Sequence, residues 1–132
     1  ELSLENSVSL PGQISDVAGF LSACDIGVLC SRAEGLSNTI LEYMMCGLPV
    51  VATDVLGNRE ALGGDADDQL FPVGDPERLA ARLLALIRSP DLRRRLGERN
   101  RRRVMKDFSI DKMCETMVGI IRNLLNGASA PQ

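Results

Sequence analysis

The residues best equipped for chemistry stand together in Ser31-Arg32-Ala33-Glu34-Gly35-Leu36-Ser37-Asn38-Thr39-Ile40-Leu41-Glu42. The segment follows an apolar run, Asp25 to Cys30, that reads as a strand, and leads into a helix that Ser37 or Asn38 can cap. In an open α/β sheet, ligands bind beyond the carboxyl ends of the strands. The first N–H groups of a helix lack intrahelical acceptors and lie at the positive end of its dipole. The backbone of Leu36, Ser37, Asn38 and Thr39 therefore suits a phosphate or diphosphate. Two carboxylates bracket that place. Glu34, in the loop, is able to accept from hydroxyls of whatever carries the phosphate. Glu42 lies about 6 Å further along the helix, where it can accept from two vicinal hydroxyls at once, as a ribose offers. Carboxylates beside a diphosphate repel it, which calls for a cation opposite. Arg32 and Arg59 are the nearest in sequence, and neither is well placed.

Positioning these groups requires a sheet and the helices that cover it. The chain alternates short apolar runs with stretches of helical periodicity, the pattern of a βαβ chain with a parallel sheet. Four runs read as strands: Ser7 to Leu10, Asp25 to Cys30, Pro49 to Thr53 and Gln69 to Val73. Short, continuous, β-branched runs suit strands buried on both faces. Ser15 can cap a helix carrying Val17, Phe20 and Leu21, the helix after Ser37 runs through Cys46 and stops at Gly47, and a short helical turn follows Asn58. Asp75-Pro76 and Ser89-Pro90 each set a cap before proline at the first helical position. The first of these helices carries Leu79, Leu83, Leu86 and Ile87 on one face, and the second runs to about Lys106. Ser109 opens the last helix, whose Ile110, Met113, Met117, Ile120, Ile121 and Leu124 read as a core-packing stripe. The expectation is one α/β unit over residues 1–126, three layers with about four strands, and a disordered tail over 127–132.

Composition narrows the chemistry. With 132 residues, 45% apolar and 25% charged, the chain is about one domain long and able to bury a core without metals or disulfides. It has no histidine, which excludes a Ser-His-Asp triad, a Cys-His pair, an HExxH zinc site and an imidazole base. Proton chemistry falls to carboxylates or to a group supplied from elsewhere. The four cysteines, Cys24, Cys30, Cys46 and Cys114, show no CxxC spacing and read as buried, reduced thiols, hence a cytoplasmic protein. A net charge of −3 and only four aromatic rings, one Tyr and three Phe, argue against nucleic-acid binding. No apolar run reaches the roughly 18 residues that span a bilayer. The cluster Arg93, Arg94, Arg95, Arg99, Arg101, Arg102 and Arg103 spreads round a helix and reads as a solvated face. Its alternative is contact with anionic lipid at the inner face of a membrane. The chain opens on Glu1 without an initiator Met, as a piece cut from something longer would.

With Ser31 before Glu34, Gly35 after it, Glu42 beyond and the run Gly47-Leu48-Pro49-Val50-Val51-Ala52-Thr53 downstream, the chain resembles the E-x7-E region of retaining GT-B glycosyltransferases of family GT4. The likeness extends over nearly the whole chain. Pro11-Gly12, Asp25-Ile26-Gly27-Val28, Asn58-Arg59-Glu60-Ala61, Phe71-Pro72-Val73-Gly74-Asp75 and Asp107-Phe108-Ser109 stand where that family's C-terminal domain has similar residues. The resemblance implies a Rossmann-like donor domain that takes a UDP-, GDP- or ADP-sugar. Under it Glu34 is the catalytic-site acid, contacting donor-sugar hydroxyls near the reacting carbon. Glu34, Gly35, Leu36, Ser37, Asn38 and Thr39 hold sugar and diphosphate, Glu42 binds the ribose, and the backbone at Gln13 meets the base. It implies transfer of a hexosyl group with retention, the donor phosphate taking the acceptor's proton, with neither cofactor nor metal. Where the family has Gly-Gly this chain has Leu56-Gly57, so a close backbone approach at residue 56 is not expected.

In that family the C-terminal domain begins with two further strands and an Arg/Lys pair that grips the diphosphate, upstream of the counterpart of Ser7 to Leu10. The acceptor site and a further histidine lie in a separate N-terminal domain. The resemblance thus implies a partial domain, strands 3, 4, 5 and 6 of the order 3-2-1-4-5-6, that alone does not transfer sugar. The whole enzyme would build a surface glycan or lipid-linked glycan at the inner membrane face. The strand at Asp25 to Cys30 is then left with an open edge, to be met by the first strand or by a second copy in a homodimer. Two other classes stand beside this one: a non-catalytic nucleotide-binding or interaction module of the same fold, and a sugar-nucleotide epimerase.

Overall fold

The chain is organised round one short strand, Val50–Thr53, in which every residue is buried. The computed structural model describes residues 3–125. Within them three parallel strands, β1 (Gly27–Leu29), β2 (Val50–Thr53) and β3 (Leu70–Phe71), lie in the order β1-β2-β3. Gly27 pairs with Val50 and Leu29 with Ala52, while Ala52 pairs with Leu70 and Thr53 with Phe71. Six helices are described: α1 (Val17–Ser22), α2 (Asn38–Met45), α3 (Leu56–Leu62), α4 (Pro76–Arg88), α5 (Pro90–Asp107) and α6 (Ile110–Leu125). The helices α2 and α3 make the two crossovers that parallel pairing demands.

Successive side chains of a strand point to opposite faces, and β2 serves a separate apolar cluster with each. Val50 and Ala52 pack with Ile40 and Met44 of α2, Ala61 and Leu62 of α3, Leu70 and Val104. Val51 packs with Phe71, Leu86 of α4 and Leu96 of α5. The result is the expected three-layer α/β arrangement, with α5 contributing to both outer layers.

One buried polar link ties α5 to the sheet. The Gln69 side-chain oxygen accepts from the Val50 N–H at 2.8 Å and from Asn100 Nδ2 at 2.9 Å. Gln69 Nε2 donates to Asn100 Oδ1 at 2.9 Å, and Asn100 Nδ2 also donates to the Leu48 carbonyl. Both amides are fully buried with both ends satisfied, which makes removal of either partner costly. The arginines of α5 are more than a solvated face. Arg93 donates to the Leu86 and Ile87 carbonyls at the end of α4, and Arg103 to those of Glu60 and Ala61 at the end of α3. Arg99 reaches the Asp65 carbonyl and pairs with Asp68 at 2.8 Å. Arg93 and Arg103 thereby satisfy carbonyls that helix ends leave without intrahelical donors.

Several expectations are corrected. Three strands form, not four: Ser7 to Leu10 is an exposed, irregular segment after a turn in which Ser7 and Val8 donate to the Leu4 carbonyl. A strand needs a ladder partner, and none meets this segment; among the described residues β1 pairs with β2 alone, so the first segment does not close its edge. The N-cap of α1 is Asp16, not Ser15, with its carboxylate accepting from the Gly19 N–H at 2.9 Å. Helix α3 begins at Leu56, before Asn58. The stripe of α6 is not core: no residue of that helix is buried, and Ile110, Met113, Met117, Ile120, Ile121 and Leu124 are all at least half exposed. The helix forms with the expected period, but periodicity does not say what covers a face. The cysteines are free thiols as expected but not buried, Cys24 and Cys46 being half-buried and Cys30 and Cys114 exposed. They stand at element ends and on α6 rather than in the two clusters. The tail at 127–132 lies outside the described residues.

Replacing Gln69 by Leu strands the Val50 N–H and the Asn100 amide in the interior. We expect a loss of about 3 kcal/mol in urea-unfolding stability, and a loss under 1 kcal/mol would contradict the role assigned to this link.

Candidate functional site

At the carboxyl end of β1 the chain leaves the sheet through residues 30–37 and enters α2. The helix starts where the sequence places it. Ser37 is the N-cap, extended at φ −80° and ψ 110°, with its hydroxyl accepting from the Ile40 N–H. It ends in a Schellman arrangement: Leu48 N–H donates to the Tyr43 carbonyl and Gly47 N–H to that of Met44, both at 3.0 Å, with Gly47 at φ +73°. Ile40 and Met44, four residues apart, bury one face of α2, and Ser37 is itself buried. The helix start is therefore held rigidly. The N–H groups of Leu36, Ser37, Asn38 and Thr39 have no hydrogen-bond acceptor among the described residues. This is the unsatisfied, positively polarised end that an anion can complete.

Glu34 is half-buried just before that end. The Ser31 hydroxyl donates to its Oε1 at 2.6 Å. Ser31 is in turn tied to the last residue of β2. Thr53 Oγ1 donates to the Ser31 carbonyl at 2.6 Å and accepts from the Ser31 N–H at 3.1 Å. Asn58, fully buried in α3, donates through Nδ2 to the Thr53 carbonyl at 2.9 Å and to Thr53 Oγ1 at 3.4 Å. Gly57 closes the arrangement, since a Cβ there would overlap the carbonyl oxygen of Gly35. The close backbone approach that is not expected at Leu56 is made by its neighbour.

The structure brings together Glu34, Gly35 and the N–H groups of Leu36 to Thr39. Glu42 is exposed on the second turn of α2, at the wall of an apolar cleft of about 670 Å³ shared with Val17, Leu21, Leu41, Met45 and Phe108. Gln13 is exposed in the irregular segment before α1 and does not line that cleft. Of the nearest cations, Arg59 is committed elsewhere, donating to both oxygens of Asp54 at 2.9 and 2.7 Å and to Asp67 at 2.9 Å. The Arg59 hydrogen bond holds the Asp54 carboxyl below the usual aspartate range, and Asp54 and then Asp67 raise the guanidinium above its own. Arg32 is exposed and borders a second cleft, about 470 Å³, formed by Cys30, Ser31, Thr53, Phe71 and Asp75 beyond the strand ends. Among the described residues no group of three or more His, Cys, Asp or Glu is gathered as metal ligands would be, and no helix is long and apolar enough to cross a membrane.

Sequence reasoning did not single out Thr53, Asn58 or Gly57 as parts of the site. Thr53 is the one hydroxyl in an otherwise apolar central strand, and that is the signal that could have marked it.

Together these features define a small open parallel α/β domain with an anion-receptive helix start at the carboxyl end of its sheet. The chain belongs to the family described as Glycosyl transferases group 1, whose model matches residues 1–89. It is 32% identical over 112 residues to N-acetyl-alpha-D-glucosaminyl L-malate synthase of Bacillus anthracis, covering 85% of this chain and 29% of that protein. It is 36% identical over 97 residues to an uncharacterized glycosyltransferase of Methanocaldococcus jannaschii, covering 74% of this chain and 27% of that one. Lipopolysaccharide core biosynthesis glycosyltransferase LpsE of Rhizobium meliloti is 28% identical over 121 residues, 92% of this chain and 36% of that protein. The chain spans about a third of the length of these relatives.

Replacing Gly57 by Ala forces α3 and the Glu34–Gly35 loop apart. Overpacking of this kind costs about 1–3 kcal/mol, and the amide resonances of residues 31–36 are expected to shift while those of α4 stay in place. Unchanged shifts at 31–36 would refute the close approach.

Proposed function

We propose that this chain is the donor-binding part of a retaining glycosyltransferase of family GT4, with GT-B architecture. The whole protein would transfer a hexosyl group from a nucleoside diphosphate sugar to a glycan or lipid-linked acceptor. The observation that carries this reading is the start of α2, where four N–H groups without acceptors among the described residues lie next to a carboxylate already fixed by the Ser31 hydroxyl. In this account the donor diphosphate takes the N–H groups of Leu36 to Thr39, and the sugar hydroxyls donate to Glu34, with Gly35 leaving room between them. Glu42 accepts from the ribose, and the base extends toward Gln13.

Transfer would break the bond between the anomeric carbon and the diphosphate oxygen and form one from the acceptor oxygen on the same face. The proton released by the acceptor goes to the departing phosphate. That route needs no protein base, and a chain without histidine is compatible with it. The cation that a diphosphate calls for is not Arg59, which two aspartates hold, so we assign it to the rest of the enzyme. The same holds for the acceptor site. Placement in the cytoplasm, at the inner face of a membrane, belongs to this proposal too.

A second reading, an interaction module of the same fold, draws on the exposed apolar face of α6. Ligand binding separates the two. Titration of the labelled chain with UDP, GDP and ADP is expected to shift amides of residues 36–42 with one of the three. Glu42→Gln should weaken that nucleotide by about 10- to 100-fold, the worth of charge-assisted hydrogen bonds. Shifts confined to another face, or affinity unchanged by Glu42→Gln, would overturn the donor-site assignment.

A further inference from the structure

Ladder pairing between β1 and β2 ends with Leu29 opposite Ala52. Beyond it the strands part, β1 toward Glu34 and β2 toward α3. A chain leaving a sheet normally trades ladder bonds for water, yet here the Thr53 hydroxyl takes over both backbone groups of Ser31. It donates to the Ser31 carbonyl at 2.6 Å and accepts from the Ser31 N–H at 3.1 Å. A single hydroxyl with one proton and two lone pairs is thereby used on both sides of one residue, and its remaining acceptor capacity meets Asn58 Nδ2 at 3.4 Å. Thr53 is 3% exposed, so its hydroxyl is largely withdrawn from water. Ser31, with its backbone held, is left with only its side chain free to turn, and that side chain donates to Glu34 at 2.6 Å.

We infer that Thr53 is a positioning residue: by fixing the Ser31 backbone it aims the Ser31 hydroxyl, and with it the Glu34 carboxylate, at the sugar of the donor. The part concerning the donor rests on the function proposed above. The part concerning the loop does not. Asn58 serves the same end one step further back, holding the Thr53 carbonyl from within α3. Valine at position 53 keeps the shape of threonine and removes all three bonds of the hydroxyl, whereas serine keeps the hydroxyl and loses one methyl. The pair Thr53→Val and Thr53→Ser therefore separates hydrogen bonding from packing.

Amide exchange followed by NMR tests the loop directly. In Thr53→Val the protection of the Ser31 N–H is expected to fall at least about tenfold, with that of the β2 amides kept, and Thr53→Ser should restore it to within about twofold. In the unmodified chain the Thr53 hydroxyl proton should give a slowly exchanging resonance with a cross-peak to the Ser31 N–H, a result independent of how any variant folds. Absence of that resonance, or Ser31 protection unchanged in Thr53→Val, overturns the inference.

Calorimetry tests the donor part with UDP against UDP-glucose, GDP against GDP-mannose and ADP against ADP-glucose. The affinity that the sugar adds should fall about fivefold or more in Thr53→Val and in Glu34→Ala, and return in Thr53→Ser, while the affinity for the diphosphate alone stays within about twofold. A merely structural change would weaken both ligands together. If Glu34→Ala shows no sugar-specific loss, the donor reading fails and the exchange data alone decide the role of Thr53. If Glu34→Ala shows it and Thr53→Val does not, the positioning role fails and the donor reading stands.

Discussion

Complete burial of β2 on both faces is the constraint from which the rest of the molecule follows. Val50 and Ala52 supply the floor of one apolar cluster and Val51 the ceiling of the other, so neither layer can shift without the other. A strand this short makes few ladder bonds, and the structure supplements them with side chains at both ends. At the entry, the Gln69 and Asn100 amides take up the Val50 N–H and the Leu48 carbonyl. At the exit, the Thr53 hydroxyl takes up Ser31. The Gln69, Asn100 and Thr53 side chains are buried, where an unpaired polar atom costs about 1–3 kcal/mol. The strand is thereby fixed along its length as well as across it.

The candidate site inherits that rigidity. Its anion-receptive end is a helix start capped by a buried serine and backed by Ile40 and Met44 in the core, and its carboxylate is reached from β2 through two hydrogen-bonded residues. Preorganisation of this kind lowers what binding must spend on ordering the loop. Electrostatics set the opposite demand. Glu34 stands beside a helix start suited to an anion, Glu42 lies further along α2 at the wall of the apolar cleft, and the guanidinium of Arg59 is bound by Asp54 and Asp67. Under the proposed function, the N–H groups of α2 meet the anionic middle of the ligand while Glu34 and Glu42 meet hydroxyls at its two ends. That is the charge pattern of a sugar joined to a nucleoside by a diphosphate.

Much of this was legible in the sequence because local signals sufficed. Ser37 as a cap, Gly47 as the stop of α2, and the Asp75-Pro76 and Ser89-Pro90 starts are short-range rules that the structure obeys. The central and flanking strands were legible from their apolar runs. Ser7 to Leu10 has a strand's composition but no neighbour to pair with, and pairing is a long-range property that no window contains. For α6 the periodicity is real, yet none of the described residues buries that face. Arg93, Arg99 and Arg103 read as solvated charge, yet Arg93 closes the end of the preceding helix and Arg99 and Arg103 reach a loop and a helix end distant in sequence. Thr53 was invisible as a site residue for the same reason, since it acts on Ser31, 22 residues away, and Asn58 matters only through Thr53.

The most direct test of the central claim is a crystal structure of the chain soaked with the nucleoside diphosphate sugar that binds it best. Diphosphate oxygens are expected about 2.7–3.2 Å from N–H groups within Leu36 to Thr39, with a sugar hydroxyl donating to a Glu34 carboxylate still bonded to Ser31. A nucleotide seated in the apolar cleft beside α6, with the start of α2 unoccupied, would contradict it.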